Sequence, residues 1–260
     1  KTDKDLEILN KNFNQMIDRL KDQQDKLIIN ERHEAWGSLA RKLAHEIKNP
    51  LTPIQLTIDR LKNKYSNELD VKNKENFNEN LMIINNQIKQ IEKLVNEFSD
   101  FARMPKPIFQ KNDLVILIKD NVKLLQELDL TIKIDFIHNY QQLFFDGDKE
   151  QLSRVFLNLI KNSIESIQQK TEKVSDFNKN ITIELNNFDS HISLVINDNG
   201  IGFKNLNNNI KEILNPYFTT KKMGTGLGLS IVNKIINDHN GNIEFISKDD
   251  GAIIKIIFTK

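Results

Sequence analysis

The feature that most restricts the fold is a run of apolar residues between positions 77 and 102. Its members recur at alternating steps of four and three, which is the seam of a heptad-patterned helix: Phe77, Leu81, Ile84, Ile88, Ile91, Val95, Phe98 and Ala102. Another helical stretch precedes it across a polar turn predicted near Ser66–Lys74, and the prolines within Met104–Pro107 end it. Two such helices bury their seams as a hairpin that pairs with a second copy, which predicts a four-helix bundle in a homodimer. A monomeric hairpin packed on the next domain is the alternative.

From about residue 108 the pattern becomes mixed. Long apolar-periodic segments predict helices, and short alternating segments bounded by turn residues predict strands. Helices and antiparallel strands on this scale predict a two-layer α/β sandwich, so the whole chain is expected to be α+β. The predicted helices are Asp113–Gln126, Lys149–Gln168 and Leu227–His239, and the predicted strands are Leu130–Ile137, Leu143–Asp146, Ile181–Phe188, His191–Asp198, Ile243–Ser247 and Ala252–Phe258.

Composition removes several classes of protein from consideration. The 37 basic and 36 acidic residues nearly cancel, so we expect no nucleic-acid partner. The chain has no cysteine, which excludes disulfides and thiolate metal sites. No stretch approaches roughly 18 apolar residues, and no signal peptide opens the chain.

The segment His-Glu-Ile-Lys-Asn-Pro at 45–50 combines groups suited to phosphoryl transfer. Neutral imidazole attacks phosphorus well, and the carboxylate of Glu46 beside His45 can take the ring's second proton. Asn49 lies one helical turn on, on the same face as His45. Pro50 cannot donate to the carbonyl of Glu46, so we expect the helix to kink there. Taken alone, His45 is more simply read as a surface or core histidine.

Two segments of the second half have the chemistry of a nucleotide site. Asp198 ends a strand, where its carboxylate can accept from an exocyclic amine, and Gly200 and Gly202 let the backbone approach a flat ring. Asn158 and Asn162 share one helix face at i, i+4, and an amide oxygen there suits Mg²⁺. Taken alone, the segment that begins at Asp198 has an ordinary turn as its alternative. The alternative for the asparagine pair alone is an ordinary polar helix face.

A glycine-rich loop and the polar stretch before it complete the constellation. Gly224-Thr-Gly-Leu-Gly leads into a helix, so its backbone N–H groups can surround a phosphate at the helix N-terminus. The stretch Asn215–Lys222 offers two threonine hydroxyls and two lysine cations to a polyphosphate. The spacing differs from the dinucleotide-binding fingerprint, and no strand precedes the loop.

The histidine segment, with its flanks Ala35–Ala44 and Gln55–Tyr65, resembles the H-box of two-component sensor histidine kinases of the NtrY (nitrogen-regulation) type. The later segments resemble, in the same order, the N, G1, F and G2 boxes of the GHKL (Bergerat) ATP-binding domain. Histidine kinases share that domain with gyrase-type enzymes, Hsp90-type chaperones and MutL-type proteins. The resemblance covers essentially all of 33–260.

The resemblance implies roles for individual residues, with ATP and Mg²⁺ as cofactors. His45, Glu46 and Asn49 would be catalytic. Asn162 would hold Mg²⁺, Asn158 would support the phosphates, and Asp198 would read adenine. The remaining cofactor-binding residues would be Gly200 and Gly202 beneath the ring, the lid residues Thr219, Thr220 and Lys221, and the phosphate loop of Gly224, Thr225, Gly226, Leu227 and Gly228.

Three regions follow from the same resemblance. Residues 1–32 are similar to a HAMP-type signal-relay helix, with a plain coiled-coil linker as the alternative. Residues 33–106 would be the HisKA-type dimerisation and phosphotransfer domain, and 107–260 the catalytic ATP-binding domain. The chain would be the cytoplasmic portion of a bacterial inner-membrane protein whose transmembrane sensor region lies upstream. NtrY-type kinases usually carry a PAS sensor domain between the HAMP module and the H-box. In this chain only about 20 residues separate the HAMP-like stretch from the H-box, too few for such a domain.

The function implied is ATP-dependent autophosphorylation of His45 and transfer to an aspartate of an NtrX-like response regulator, with phosphatase activity toward that regulator. A phosphatase-dominant enzyme and a degenerate nucleotide-binding adaptor remain alternatives. A chaperone-like or topoisomerase-like ATPase is disfavoured. In that branch a glutamate typically stands four residues before the magnesium asparagine, whereas Asn158 stands here and an amide is a poor base.

Overall fold

The computed structural model describes residues 40–65, 71–102, 104–174, 176–203, 210–221 and 224–260. The chain divides into two compact units between Met104 and Pro105. The predicted HAMP-like region lies outside the described residues, as does the predicted turn from Ser66 to position 70.

The first unit is helical. Helix α1 occupies residues 40–65 and helix α2 spans Val71–Ala102. Helix α1 continues through Pro50 without interruption. The part of the predicted turn at Val71–Lys74 is wrong, because these residues already belong to α2.

The two helices pack through residues at seven-residue spacing. Leu51 and Ile58 of α1 form one buried cluster with Leu81 and Ile88 of α2, and Phe77 packs against it. Between the helices, Gln55 Nε2 donates to Asn85 Oδ1 at 3.2 Å. A second stripe on each helix is exposed in the single chain: Ile47, Ile54 and Leu61 on α1, and Ile84 and Ile91 on α2. The seam predicted on α2 therefore contains three buried residues (Leu81, Ile88 and Val95) and two exposed ones (Ile84 and Ile91), while its other members are half-buried.

The second unit is mixed α/β. Asp113 and Asp148 cap helices α3 and α4 by accepting hydrogen bonds from backbone N–H groups of the first turn. The elements in order are β1 (Gln110–Asp113), α3 (Leu114–Gln126), β2 (Lys133–Ile137), β3 (Phe144–Gly147), α4 (Lys149–Thr171), β4 (Asn180–Asn187), β5 (His191–Asp198), a 3-10 turn (Ile210–Leu214), α5 (Gly228–Asp238), β6 (Gly241–Ser247) and β7 (Ala252–Thr259).

The main sheet has the strand order β2-β4-β5-β7-β6, and β1 pairs with β3 separately. All neighbours in the main sheet are antiparallel except β2 and β4, which run parallel. The expectation of antiparallel strands is wrong for this pair, because α4 lies between the two strands in sequence and returns the chain to the same end of the sheet. The predicted strand at Leu130 begins only at Lys133, and β1, a run of four polar residues, was not predicted.

Alternate residues of the central strands bury against the helices. On β5, Ile192, Leu194 and Ile196 are buried, as are Ile181 and Ile183 on β4. Helices α3, α4 and α5 pack on one another beside this sheet, which confirms the predicted sandwich of one helical and one sheet layer. Asp198 continues the β5 alternation, so its side chain points to the buried, helix-covered face. None of the helices in the described ranges is long and apolar enough to cross a membrane.

Candidate active site

His45, Glu46 and Asn49 lie on α1 and are exposed. Ala44, immediately before the histidine, is buried, whereas the His45 side chain on the same helical turn faces solvent. Neither His45 nor Glu46 makes a side-chain hydrogen bond to another described residue. The imidazole is accessible for reaction, and Asn49 sits one turn away on the same helix face.

Asp198 is the buried acid of the second unit, with 4% of its surface exposed. Burial raises the pKa of its carboxyl above the ordinary value of 3.8, and hydrogen bonds from Gly200, Ser163 and Ala252 partly offset that rise, with a smaller contribution from the charge of Lys248. Gly200 N–H donates to Oδ1 at 3.0 Å and the Ser163 hydroxyl donates to Oδ2 at 3.1 Å. These donors fix the carboxylate in a nearly dry position, where it is suited to accept from a ligand amine.

The glycines after Asp198 allow close packing of backbone segments. A side chain at Gly200 would collide with Ser166 of α4, and one at Gly202, where φ is +64°, would collide with Gly251. Gly251 itself has φ +99° and lies against the carbonyl of Asp198. The β6–β7 turn and α4 thus hold this strand end from both sides, and any larger residue would displace Asp198.

Asn162 and Glu165, at i, i+3 on α4, both contact the lid residue Lys221. The ammonium Nζ of Lys221 donates to Asn162 Oδ1 at 2.8 Å and forms an ion pair with the Glu165 carboxylate. Because an ammonium only donates, the amide of Asn162 must turn its oxygen toward Lys221. Asn162 therefore already presents an oxygen to a cation, which fits the role expected of it toward Mg²⁺.

Asn158 joins α4 to the glycine-rich loop. Its Nδ2 donates to the Arg154 carbonyl of its own helix at 2.8 Å, and its Oδ1 lies 3.0 Å from where a side chain at Gly228 would begin. Leu227 is fully buried, so only its backbone can face a ligand. Among the described residues no side chain caps α5 at Leu227, so the first N–H groups of that helix are available to an anion.

The predicted lid and Tyr217, which precedes it, contact the same glycine-rich loop. Tyr217 adopts φ +68°, and its N–H donates to the carbonyl of Gly226 at 3.0 Å. Gly226 has φ +71° and a side chain there would collide with Tyr217. Thr219 Oγ1 accepts from Lys221 N–H at 3.1 Å and also lies against Gly224, while Thr220 is exposed. Thr225 Oγ1 accepts from Leu227 N–H at 3.4 Å.

The α/β unit thus brings the predicted asparagines, lid and glycine loop together, and places Asp198 against the same helix α4. His45, Glu46 and Asn49 belong to the other unit. Sequence reasoning missed Ser163, Ser166 and Glu165. Glu165 was detectable as a carboxylate three residues after Asn162 on one helix face, whereas the serines contact strand β5 and the turn after it, which no local pattern reveals.

Two family models match the chain. Residues 35–107 match the His Kinase A (phospho-acceptor) domain, and residues 147–259 match the Histidine kinase-, DNA gyrase B-, and HSP90-like ATPase domain.

Curated proteins similar to this chain agree with the two domain matches. A "Putative sensor histidine kinase NtrY-like" of Rickettsia prowazekii (strain Madrid E) is 39% identical over 95% of this chain and 40% of its own length. The "Nitrogen regulation protein NtrY" of Azorhizobium caulinodans is 35% identical over 87% of this chain and 29% of its own. The chain thus spans well under half the length of these curated relatives.

A solved structure, histidine kinase ThkA in complex with response regulator protein TrrA, is 26% identical with a TM-score of 0.60, over 89% of this chain and 64% of that one. Together the two domain matches in this order and the NtrY-like relatives show that the chain belongs to the two-component sensor histidine kinases of the NtrY type.

Proposed function

We propose that this chain is the kinase core that autophosphorylates on His45 with ATP and passes the phosphoryl group to an aspartate of an NtrX-like response regulator. The observation that carries the proposal is the pairing of an exposed histidine on a phospho-acceptor helix with an ATPase-type unit that holds a buried Asp198. The similar histidine kinase ThkA was solved in complex with a response regulator protein, and that complex supports a response regulator as the partner here.

The chemistry follows from the side chains. Asp198 accepts from the adenine amine, and the glycine loop and lid hold the triphosphate. A nitrogen lone pair of His45 attacks the γ-phosphorus, the bond to the β–γ bridging oxygen breaks, and ADP leaves. Glu46 takes the proton from the other ring nitrogen. Positioning and charge neutralisation supply most of the rate. Mg²⁺, when bound with ATP, supplies such neutralisation, and Asn162 would hold it.

The exposed stripes of the hairpin support a homodimer. Ile47, Ile54, Ile84 and Ile91 are large, apolar and exposed at heptad spacing in the single chain. A second copy covers such stripes by completing a four-helix bundle. We place the dimerisation and phosphotransfer domain at 33–106, the ATP-binding domain at 107–260 and a signal-relay helix at 1–32. The core would belong to an inner-membrane sensor as its cytoplasmic portion.

A second activity is favoured by Asn49. Its exposed amide lies one turn from His45, where it can orient a water toward the phosphoryl-aspartate of a docked regulator. The purified phospho-regulator, incubated with the protein and ADP, distinguishes the two outputs by its rate of dephosphorylation.

The deciding experiment is incubation of the chain with γ-labelled ATP, followed by acid and alkali treatment of the protein. We expect a label that acid removes and alkali spares, which is the behaviour of phosphohistidine. A label stable to acid, or none on a chain shown to bind ATP, would refute the kinase assignment.

A further inference from the structure

We propose that Asn162 and Glu165 together form a two-oxygen cation position, which the Lys221 ammonium fills in the nucleotide-free protein and the divalent cation takes when the metal–nucleotide complex binds. This inference deepens the proposed function and rests on it. It assigns to Glu165 a direct role in holding the metal.

The first ground is the donor set. An amide oxygen and a carboxylate oxygen, one helical turn apart on α4, converge on a single positive charge. Hard oxygen donors of these two types are what Mg²⁺ prefers, and it usually takes one or two protein ligands plus phosphate oxygens and waters. An ammonium uses the same acceptors, so Lys221 is a chemical stand-in for the metal.

The second ground is charge. Asn162 and Asn158 lie on the same face of α4, and the glycine loop expected to hold the phosphates touches Asn158. A carboxylate at 165 would repel a polyphosphate placed there unless a cation stands between them. In the free protein that cation is Lys221. A metal that takes the same position releases Lys221, which can then follow the phosphates with the rest of the lid.

The third ground is the placement of the lysine. Lys221 reaches α4 from the lid, where its N–H is held by Thr219 Oγ1 and its carbonyl accepts from Gly224 N–H at 3.2 Å. The lid and the metal site are therefore joined by one removable ion pair. Exchange of ammonium for metal couples arrival of the nucleotide to the position of the lid.

The test compares ADP affinity with Mg²⁺ and with chelator, by calorimetry on the full chain. The measured quantity is the ratio of Kd with chelator to Kd with Mg²⁺. In Lys221→Met the metal has no competitor and metal-free ADP meets an unpaired carboxylate, so we expect the ratio to rise roughly tenfold, about 1.4 kcal/mol. In Glu165→Gln the metal loses a ligand and metal-free ADP loses a repulsion, so we expect the ratio to fall by about the same factor.

Matched controls come from another helical ion pair. Lys234 and Asp238, at i, i+4 on α5, form an ion pair at 3.0 Å with similarly half-exposed side chains. Lys234→Met and Asp238→Asn should leave the ratio unchanged, and so should any change that merely loosens the fold, since both affinities then fall together. Ratios that stay at the wild-type value, or move in the same direction in both variants, would overturn the inference alone. A wild-type protein that does not bind ADP at all would overturn the proposed function with it.

Discussion

The two units of this chain bury their apolar residues to very different degrees. In the hairpin, exposed large apolar side chains outnumber buried ones, and the buried cluster is a single line of residues along one face of each helix. In the α/β unit the proportion is reversed, and helices α3 to α5 cover a continuous apolar face of the sheet. The α/β unit therefore has a core of its own, while the hairpin has a second apolar face that stays exposed among the residues that the structure describes.

This difference matches the two tasks proposed. A nucleotide site needs fixed donors in a dry setting, and Asp198 obtains both from a rigid sheet and helix. A phospho-acceptor must be accessible to ATP and then to a regulator, and His45 is accessible because it lies on a thin hairpin. The following changes test whether the units are as separable as the comparison suggests.

His45→Ala should give the largest effect. Removal of the nucleophile should abolish labelling, while ADP affinity stays within about threefold, under 1 kcal/mol, because the α/β unit is untouched. Labelling and calorimetry on the same preparation measure both quantities. Persistent acid-labile label on this variant would move the nucleophile to another histidine.

Glu46→Gln should act on the same unit through proton transfer. An amide cannot take the second proton of the imidazole, so autophosphorylation should slow by roughly 10²–10⁴-fold while nucleotide binding is spared. Single-turnover labelling at saturating ATP gives the rate. An unchanged rate would leave Glu46 as an ordinary surface residue of α1.

Buried and exposed positions of the α2 seam should respond differently to an introduced charge. Ile88 is 4% exposed and Ile91 is 40% exposed in the single chain. Ile91→Asp should give a monomer that keeps its helical circular dichroism, because it places charge only on the uncovered stripe. Ile88→Asp should also lower the stability of the hairpin, by about 4 kcal/mol, since it places a charge in the buried cluster. Light scattering and thermal melts separate the effects, and a dimeric Ile91→Asp protein would place the interface elsewhere.

Much of this organisation could be predicted from residue order, and the failures have physical causes. Helix α4 and strands β4 to β7 were predicted within a few residues because each has a clear period and a cap or turn at its ends. The parallel pairing of β2 with β4 depends on the crossover through α4, and the sequence pattern of neither strand alone reveals it. Ser163 and Ser166 act by contacts with strand β5 and the turn after it, which only the tertiary structure brings into reach.

The chemistry of the site, like the fold, could be predicted only in part from the sequence. The motifs predicted roles for Asp198, Asn162 and the glycines because their order along the chain resembles that of a known family. They did not reveal that Glu165 shares the Lys221 ammonium with Asn162, because that contact joins residues far apart in the chain. Nor did the heptad pattern show that Ile84 and Ile91 are exposed while Ile88 is buried, since all three belong to one seam.

Asp198→Asn tests the α/β unit by charge. The folded state raises the pKa of this carboxyl, so it binds a proton more tightly than the unfolded chain does. The stability of the wild type should therefore fall relative to the variant as pH rises above the ordinary value of 3.8. Urea unfolding at several pH values measures this difference. ADP affinity should drop roughly 10- to 100-fold in the variant, because the amide offers one acceptor in place of two and its N–H₂ opposes the adenine amine. Equal pH profiles would mean that the buried carboxyl does not titrate differently on folding.

The smallest effect should come from changes on the hairpin surface C-terminal to Pro50, where we expect the regulator to dock. Such changes test regulator docking separately from nucleotide chemistry. Thr57, Arg60 and Gln87 are exposed on the hairpin, and the Thr57 hydroxyl donates to the Pro53 carbonyl of its own helix at 2.8 Å. Leu61 and Ile84 are exposed beside them, and Ile84 stands on the stripe that we assign to the dimer. Exchange of Thr57, Arg60 and Gln87 together should slow transfer to the regulator by roughly tenfold, about 1.4 kcal/mol, through altered contacts. Autophosphorylation and dimer mass should stay at wild-type values, since none of the three belongs to the buried cluster or to the α/β unit. Transfer to the same regulator at the wild-type rate would show that the regulator docks on another face of the hairpin.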